Sequence, residues 1–151
     1  MFKDLKLTIE LVPKTCFYSN VRSEVDKNTW DIIRWKTYKL ANNKCEICSG
    51  VGDKWKVECH EIWFYDDKNY NQVLKGFIAL CPNCHKTKHT GFSNLNGEID
   101  IVIKQLMSVN NLSKKQAMQY ITDSFDIWEK RSKFKWNLDI SYIEKYLISQ
   151  N

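Results

Sequence analysis

The chain has 151 residues, 43% of them hydrophobic and 13% aromatic, which is enough apolar surface to bury one ordinary core. Its formal net charge of +5 favours a polyanionic partner over a cationic one. No run approaches the roughly 20 apolar residues of a membrane span, and Met1-Phe2-Lys3-Asp4 does not open a signal peptide, so membrane roles are excluded and a cytoplasmic location is expected.

Leu5 to Leu11 alternate apolar and polar with period two, which predicts a half-buried strand ended by Pro13. Thr15 to Ser23 reads as an ordered loop. A helix is expected from about Thr29 to Ala41, crowded by Trp30, Ile33, Trp35, Tyr38 and Leu40 and stopped by Asn42-Asn43. Cys45-Glu46-Ile47-Cys48 follows at once, and then turn chemistry over Ser49 to Asp53. Lys56 to Tyr65 and Val73 to Leu80 suit two strands joined through Asp66 to Asn69, a hairpin whose second strand runs into Cys81-Pro82-Asn83-Cys84. From Pro82 the pattern turns helical, with Gly91 as its expected stop. Further helices are expected over Glu98 to Val109 and, behind a capping box at Ser113 and Gln116, along Ala117, Tyr120, Ile121, Phe125 and Trp128. Trp136 to Ile140 reads as an extended link, and a second box, Ser141 with Glu144, opens a short terminal helix.

Six cysteines in a reducing compartment favour metal ligation over disulfides. Cys45, Cys48, Cys81 and Cys84, in two identical spacings separated by a hairpin-length insert, predict a structural zinc site. Four sulfur ligands leave no open position for catalysis, so a reactive centre has to be separate. Cys16 reads as a small buried hydrophobe, whereas Cys59 adjoins His60. All three histidines fall in this part of the chain: His85 and His89, at i,i+4 on one helix face, can chelate a divalent cation, and His60 lies on the first hairpin strand opposite. A cation that neutralises a phosphate oxygen and an imidazole that deprotonates water are what phosphodiester hydrolysis needs. Glu58 shares a strand face with His60 and is a candidate partner for it. Lys86, Lys88 and Arg131 lie in basic runs suited to nucleic acid, though a solvated helix face is the simpler reading of each run alone. Arg22 is balanced between a phosphate contact and a structural ion pair.

Val57-Glu-Cys-His-Glu-Ile-Trp63 followed by Leu80-Cys-Pro-Asn-Cys-His-Lys-Thr-Lys-His89, with Cys45-x-x-Cys48 ahead of both, resembles the HNH endonuclease signature, and Asn20 to Ser23, Trp30-Asp31, Val109-Asn110 and Trp128 to Ser132 extend the likeness to a small bacterial and phage group. The resemblance implies an α+β fold: a zinc-bound ββα-metal, treble-clef-like core over 45–91, preceded by a strand and helix in 1–44 and followed by a helical extension in 92–151, all one domain. It implies a DNA-cleaving phosphodiesterase of the bacterial cell or phage-infected host, with His60 as general base and His89 with His85 holding a second divalent cation on the scissile phosphate. DNA is the expected partner ahead of RNA. Two positions depart from the family pattern. Cys59 stands where Asp or His usually supplies a ligand; a soft donor poorly matched to magnesium, it adds zinc, manganese or nickel to magnesium as choices of second cation and is itself a candidate ligand. Gly76 stands where the middle Asn falls, leaving Asn71, Asn83 or Glu61 as substitutes. The alternative is a catalytically decayed, zinc-organised nucleic-acid-binding or adaptor module.

Overall fold

The computed structural model describes residues 2–149; Met1, Gln150 and Asn151, at the ends of the expected domain, lie outside the described residues. A 3-10 turn at Lys14–Cys16 and a one-turn helix α1 (Val21–Glu24) lead into α2 (Lys27–Leu40). The hairpin β1 (Glu58–Asp66) and β2 (Asn71–Leu80) follows, then α3 (Pro82–Lys88), α4 (Thr90–Leu95), α5 (Ile99–Asn110), α6 (Lys114–Arg131), β3 (Asn137–Asp139) and α7 (Tyr142–Ile148). The three strands form one sheet in the order β1-β2-β3, with β1 and β2 antiparallel and β3 parallel to β2. The molecule is mixed α+β.

The hairpin sets the frame. Valine, isoleucine and aromatic residues favour the pleated conformation, and Asp66 turns the chain by accepting the Lys68 and Asn69 amides on Oδ1 at 3.1 and 3.2 Å. Glu58 pairs with Leu80, His60 with Ile78 and Asp66 with Asn71, and Lys75 is the extra residue of a bulge where the register steps from Ile62–Gly76 to Trp63–Leu74. Because side chains alternate across a strand, each face of the hairpin carries its own core. On one face Ile78 and Leu80 join Leu7, Val102, Leu106, Ala117 and the four knuckle cysteines. On the other, Cys59, Trp63, Leu74 and Phe77 pack with Val21, Ile33, Ile143 and Tyr146 from α1, α2 and α7. His60 and Cys59 are sequence neighbours, but they belong to different cores.

Local signals explain most of the element ends. Asp26 accepts the Thr29 amide at 2.7 Å, so α2 starts two residues earlier than the apolar pattern implies, and Asn42 and Asn43 end it in the left-handed region with φ of 52° and 54°. Both bonds of the Ser113–Gln116 capping box form.

Other expectations fail for identifiable reasons. Leu5 to Leu11 is not a strand: Leu7 and Ile9 do face the core, but their neighbours are helices that offer side chains rather than a free sheet edge. The Leu7 amide donates to Asn110 Oδ1 and the Ile9 amide to the Tyr120 hydroxyl, both at 2.9 Å, and the Glu10 amide reaches the Lys88 carbonyl at 3.1 Å. The loop over Thr15 to Ser23 contains most of the 3-10 turn and α1 begins within it. Gly91 does not stop a helix. The break falls at His89 (φ −100°, ψ 49°), where Thr90 Oγ1 donates to the Thr87 carbonyl, and Gly91 continues into α4. The expected link over Trp136 to Ile140 supplies β3. Ser141 does not cap α7: its backbone is already helical (φ −57°, ψ −23°) where a capping residue is extended, and its hydroxyl donates to Asp139 Oδ1 at 2.7 Å. Among the described residues no helix is long and apolar enough to cross a membrane.

Candidate metal and catalytic centre

The two CxxC knuckles meet because backbone pairing brings them together. The Glu46 amide donates to the Ala79 carbonyl at 2.9 Å and Glu46 Oε2 accepts the Ala79 amide at 2.7 Å, docking the first knuckle on the last turn of β2 before Cys81. Gly52 shapes the return loop: a Cβ there would lie 2.3 Å from the Trp55 carbonyl oxygen and 2.7 Å from Pro82 Cγ, so only glycine allows the approach. The sulfurs of Cys45, Cys48, Cys81 and Cys84 all lie within 4.8 Å of one another, and all four cysteines are free thiols. Cys48 and Cys81 Sγ are 3.6 Å apart, close to the ~3.8 Å edge of a tetrahedron built on zinc–sulfur bonds of about 2.3 Å. The Cys48 amide donates to Cys45 Sγ, the Gly50 amide to Cys48 Sγ and the Cys84 amide to Cys81 Sγ, at 3.4 to 3.5 Å, while Gln105 Nε2 from α5 reaches Cys84 Sγ at 3.1 Å. Donors aimed at sulfur stabilise thiolates. Without a cation Cys45, Cys81 and Cys84 compete for one negative charge: hydrogen bonds from Cys81 and Cys84 hold Cys45 far below the thiol range, and that thiolate pushes Cys81 to about 11 and Cys84 upward. A divalent ion removes the conflict. Donor type, number and spacing fit a structural metal such as zinc.

The second group lies between β1, which carries His60, and α3, which carries His85 and ends at His89. Ligand atoms of His60, His85 and His89 are all within 4.8 Å of one another, and their ring centroids stand 5.4, 5.1 and 4.8 Å apart, each pair edge to face. His60 Nε2 bonds Glu10 Oε2 at 2.6 Å, and His85 Nδ1 bonds Glu58 Oε2. A carboxylate can only accept, so these bonds fix a proton on His60 Nε2 and on His85 Nδ1 and free His60 Nδ1 and His85 Nε2 as lone pairs. Such carboxylate–imidazole pairs are what orients histidine at metal and hydrolytic centres. Three imidazoles form a donor set suited to zinc or nickel, whereas manganese and magnesium favour oxygen donors.

Electrostatics keep two of the rings, His60 and His89, neutral. Burial lowers His60 against the pull of Glu10, and it lowers His89 to about 3 with help from the two neighbouring imidazoles. Burial pushes Glu10 up, yet its bonds and charge contacts with His60 and Lys88 outweigh that and hold it below the ordinary carboxylate range. Glu58 is held down first by the His85 hydrogen bond, with Trp55 Nε1 donating to its other oxygen at 2.7 Å.

Several residues singled out in the sequence sit elsewhere than expected. Glu58 partners His85 instead of His60, whose partner is Glu10, a residue the sequence reading did not single out. Cys59 is not in the imidazole group. It packs in the opposite core with its thiol 3.7 Å from Thr37 Oγ1, and burial pushes the thiol up to about 12, which suits a protonated core cysteine better than a ligand. Gly76 lies opposite Ile62 beside the bulge. Of its expected substitutes, Asn71 pairs at the far end of the hairpin, and Asn83 accepts Thr87 Oγ1 on its carbonyl. Glu61 Oε1 takes the Val21 and Arg22 amides. Lys88 is buried, its ammonium held by Thr8 Oγ1 at 2.7 Å and Glu10 Oε1 at 2.9 Å, so it braces Glu10 and does not face a polyanion. Lys86 is paired with Glu98, and Arg131 grips Asp67 with two bonds of 2.7 and 2.8 Å while lying over the Tyr65 ring. Arg22 is exposed, and among the described residues its guanidinium has no ion-pair partner.

His85 and His89 border an open cleft of about 1380 Å³ whose walls include Arg22, Trp30, Arg34, Lys54, Trp55 and Lys86 beside Glu58; His60 lies behind them and does not line it. The wall mixes cations and aromatic rings with the carboxylates of Asp31, Asp53, Glu58 and Glu98; Lys27 and Arg34 are paired with Asp31, and Lys86 with Glu98. Comparisons with protein-family models, curated proteins and solved structures gave no match, so the HNH likeness rests on the motif residues themselves.

Proposed function

We propose that the protein is a metal-dependent phosphodiesterase of the HNH type acting on DNA, with β1, β2 and α3 as a ββα-metal core stapled by zinc on the four knuckle cysteines. The observation that carries this reading is the convergence of His60, His85 and His89 within 4.8 Å on the open side of that hairpin. His85 and His89 would hold a divalent cation, which supplies charge neutralisation at a phosphate oxygen. His60, its Nε2 proton committed to Glu10, presents Nδ1 to take a proton from the attacking water. Glu10, fixed by Lys88, holds that tautomer and stabilises the imidazolium that results. Glu58 orients His85 in the same way. The cationic and aromatic cleft walls match a phosphate backbone and bases, and affinity from that source falls with salt.

The test is supercoiled plasmid incubated with zinc-loaded protein and magnesium, manganese, nickel or zinc in turn. Cleavage that needs an added cation and disappears in His60→Ala, with folding and DNA binding retained, supports the proposal. DNA bound but uncut with all four ions would instead favour the zinc-organised binding module, and the displacement of Cys59 from the imidazoles and the glycine at position 76 are the features that favour it.

A further inference from the structure

A second cavity, about 700 Å³, opens on the other side of the imidazoles, and its size falls in the range of small-molecule sites. His60, His85 and His89 form part of its wall, as does Arg22, so it is continuous with the centre where a phosphate would sit. Its rim carries Phe17 and Phe92, which expose 58% and 68% of their surface although each is a large aromatic ring. Deeper in the wall lies Tyr65, 8% exposed, whose hydroxyl has no hydrogen-bond partner. Tyr65 is one of the cavity-wall residues, and burial raises its pKa above the ordinary phenol range. A buried phenol without a partner carries a desolvation cost that a ligand acceptor would remove.

We infer that this cavity takes one unpaired nucleobase of the strand being cut, stacked on Phe92 and hydrogen-bonded by the Tyr65 hydroxyl, so that the substrate is DNA with a locally unpaired or extruded nucleotide. The inference rests on the phosphodiesterase reading above and specifies its substrate. Continuity decides the occupant: a nucleotide with its phosphate at the imidazoles has its base within reach of the adjoining cavity. Arg22 stands on the wall common to both spaces, held there because Glu61 Oε1 binds the first amides of α1. Every base has a face for Phe92 and an acceptor for a phenol, so the pocket selects for an unpaired base ahead of a particular sequence.

The experiment uses zinc-loaded full-length protein and three oligonucleotides of one sequence: a perfect duplex, a duplex with a single-base bulge, and the bulged duplex with an abasic residue at the bulge. Affinity is measured without a second cation and cleavage with it. The bulged duplex should bind and be cut about tenfold better than the perfect duplex, and the abasic residue should erase that gain. Phe92→Ala, at an exposed position, should lower the preference about tenfold, and the isosteric Tyr65→Phe should lower it by a smaller factor. Equal affinity for bulged and perfect duplex, or an abasic residue or Phe92→Ala that leaves the preference intact, overturns the base pocket even if both DNAs are cut. Cleavage of none of the three, with the bulge preference in affinity retained, removes the phosphodiesterase reading while leaving the pocket standing.

Discussion

The two clusters that meet on the β1–β2–α3 unit have equally close donors, yet they are built for opposite purposes. Four sulfurs enclose their centre completely: they are soft, three of the four cysteines are buried, and their remaining interactions are amide donors that hold thiolates in place. The imidazole group is open to a cleft at His85 and His89, and the carboxylates bonded to His60 and His85 fix which nitrogen of each carries the proton. One arrangement saturates an ion, and the other keeps positions for a reactant. On the proposed function, stability belongs to the first cluster and chemistry to the second, and they can be perturbed separately.

The largest effect should come from the sulfur side. Cys81→Ser with Cys84→Ser removes half the ligands of a site whose apparent zinc-binding free energy is on the order of 10–16 kcal/mol, so the hairpin and α3 should lose cooperative thermal unfolding by circular dichroism and bound zinc should fall to background. A variant that melts like the parent would erase the distinction between the clusters. On the imidazole side, His60→Ala should leave the melting transition and the zinc content in place and lower hydrolysis roughly 10²- to 10⁴-fold in a plasmid-nicking assay. The asymmetry between these two results is what the comparison demands.

Glu10→Gln sharpens it further. The amide keeps the size and one acceptor, but it loses the charge that fixes His60, so hydrolysis should fall roughly 10- to 100-fold and the pH profile of the rate should shift, which a purely structural role would not produce. Acid should act on the same region. His60 and His89 are held neutral by burial, so below about pH 6.5 the unfolded chain binds protons that the folded chain refuses. Stability is therefore complete above about pH 6.5 and declines as the pH falls toward His89's folded value of about 3, by at most about 1.4 kcal/mol per pH unit for each such group. Urea unfolding of zinc-loaded protein at a series of pH values, with no second cation, should show this decline, and His89→Gln should flatten it. The smallest effect is Gln105→Ala, which deletes one donor to Cys84 and should weaken zinc retention against a chelator by about 1 kcal/mol without affecting hydrolysis.

What the sequence revealed of these clusters follows from how local each signal is. The cysteine ligands lie in two four-residue spacings and the α3 imidazoles at i,i+4, so short-range geometry was sufficient to pair them. The hairpin that joins them was legible for the same reason, through β-branched residues flanking Asp66 to Asn69. Glu10 was hidden because its bond to His60 spans fifty positions and its segment alternates like a strand. That alternation reports burial of Leu7 and Ile9, and it could not report that helices, with no free strand edge, would be their neighbours. Lys88 read as part of a surface cationic run because nothing nearby in sequence is its partner; Thr8 and Glu10 come from the other end of the chain. Cys59 looked like a ligand because it adjoins His60, whereas strand alternation sends the two to opposite faces. Gln105 gave no signal of its own, since a glutamine on an amphipathic helix is the ordinary case.

The division between a closed sulfur site and an open imidazole site is tested most directly by X-ray absorption at the cobalt edge, after one equivalent of cobalt is added to protein already holding one zinc. The account predicts a first shell of nitrogen and oxygen around cobalt, with imidazole scattering and no sulfur, and loss of that signal in His89→Gln while zinc remains bound. Cobalt surrounded by sulfur, or failing to bind in a protein that still holds its zinc, would contradict it.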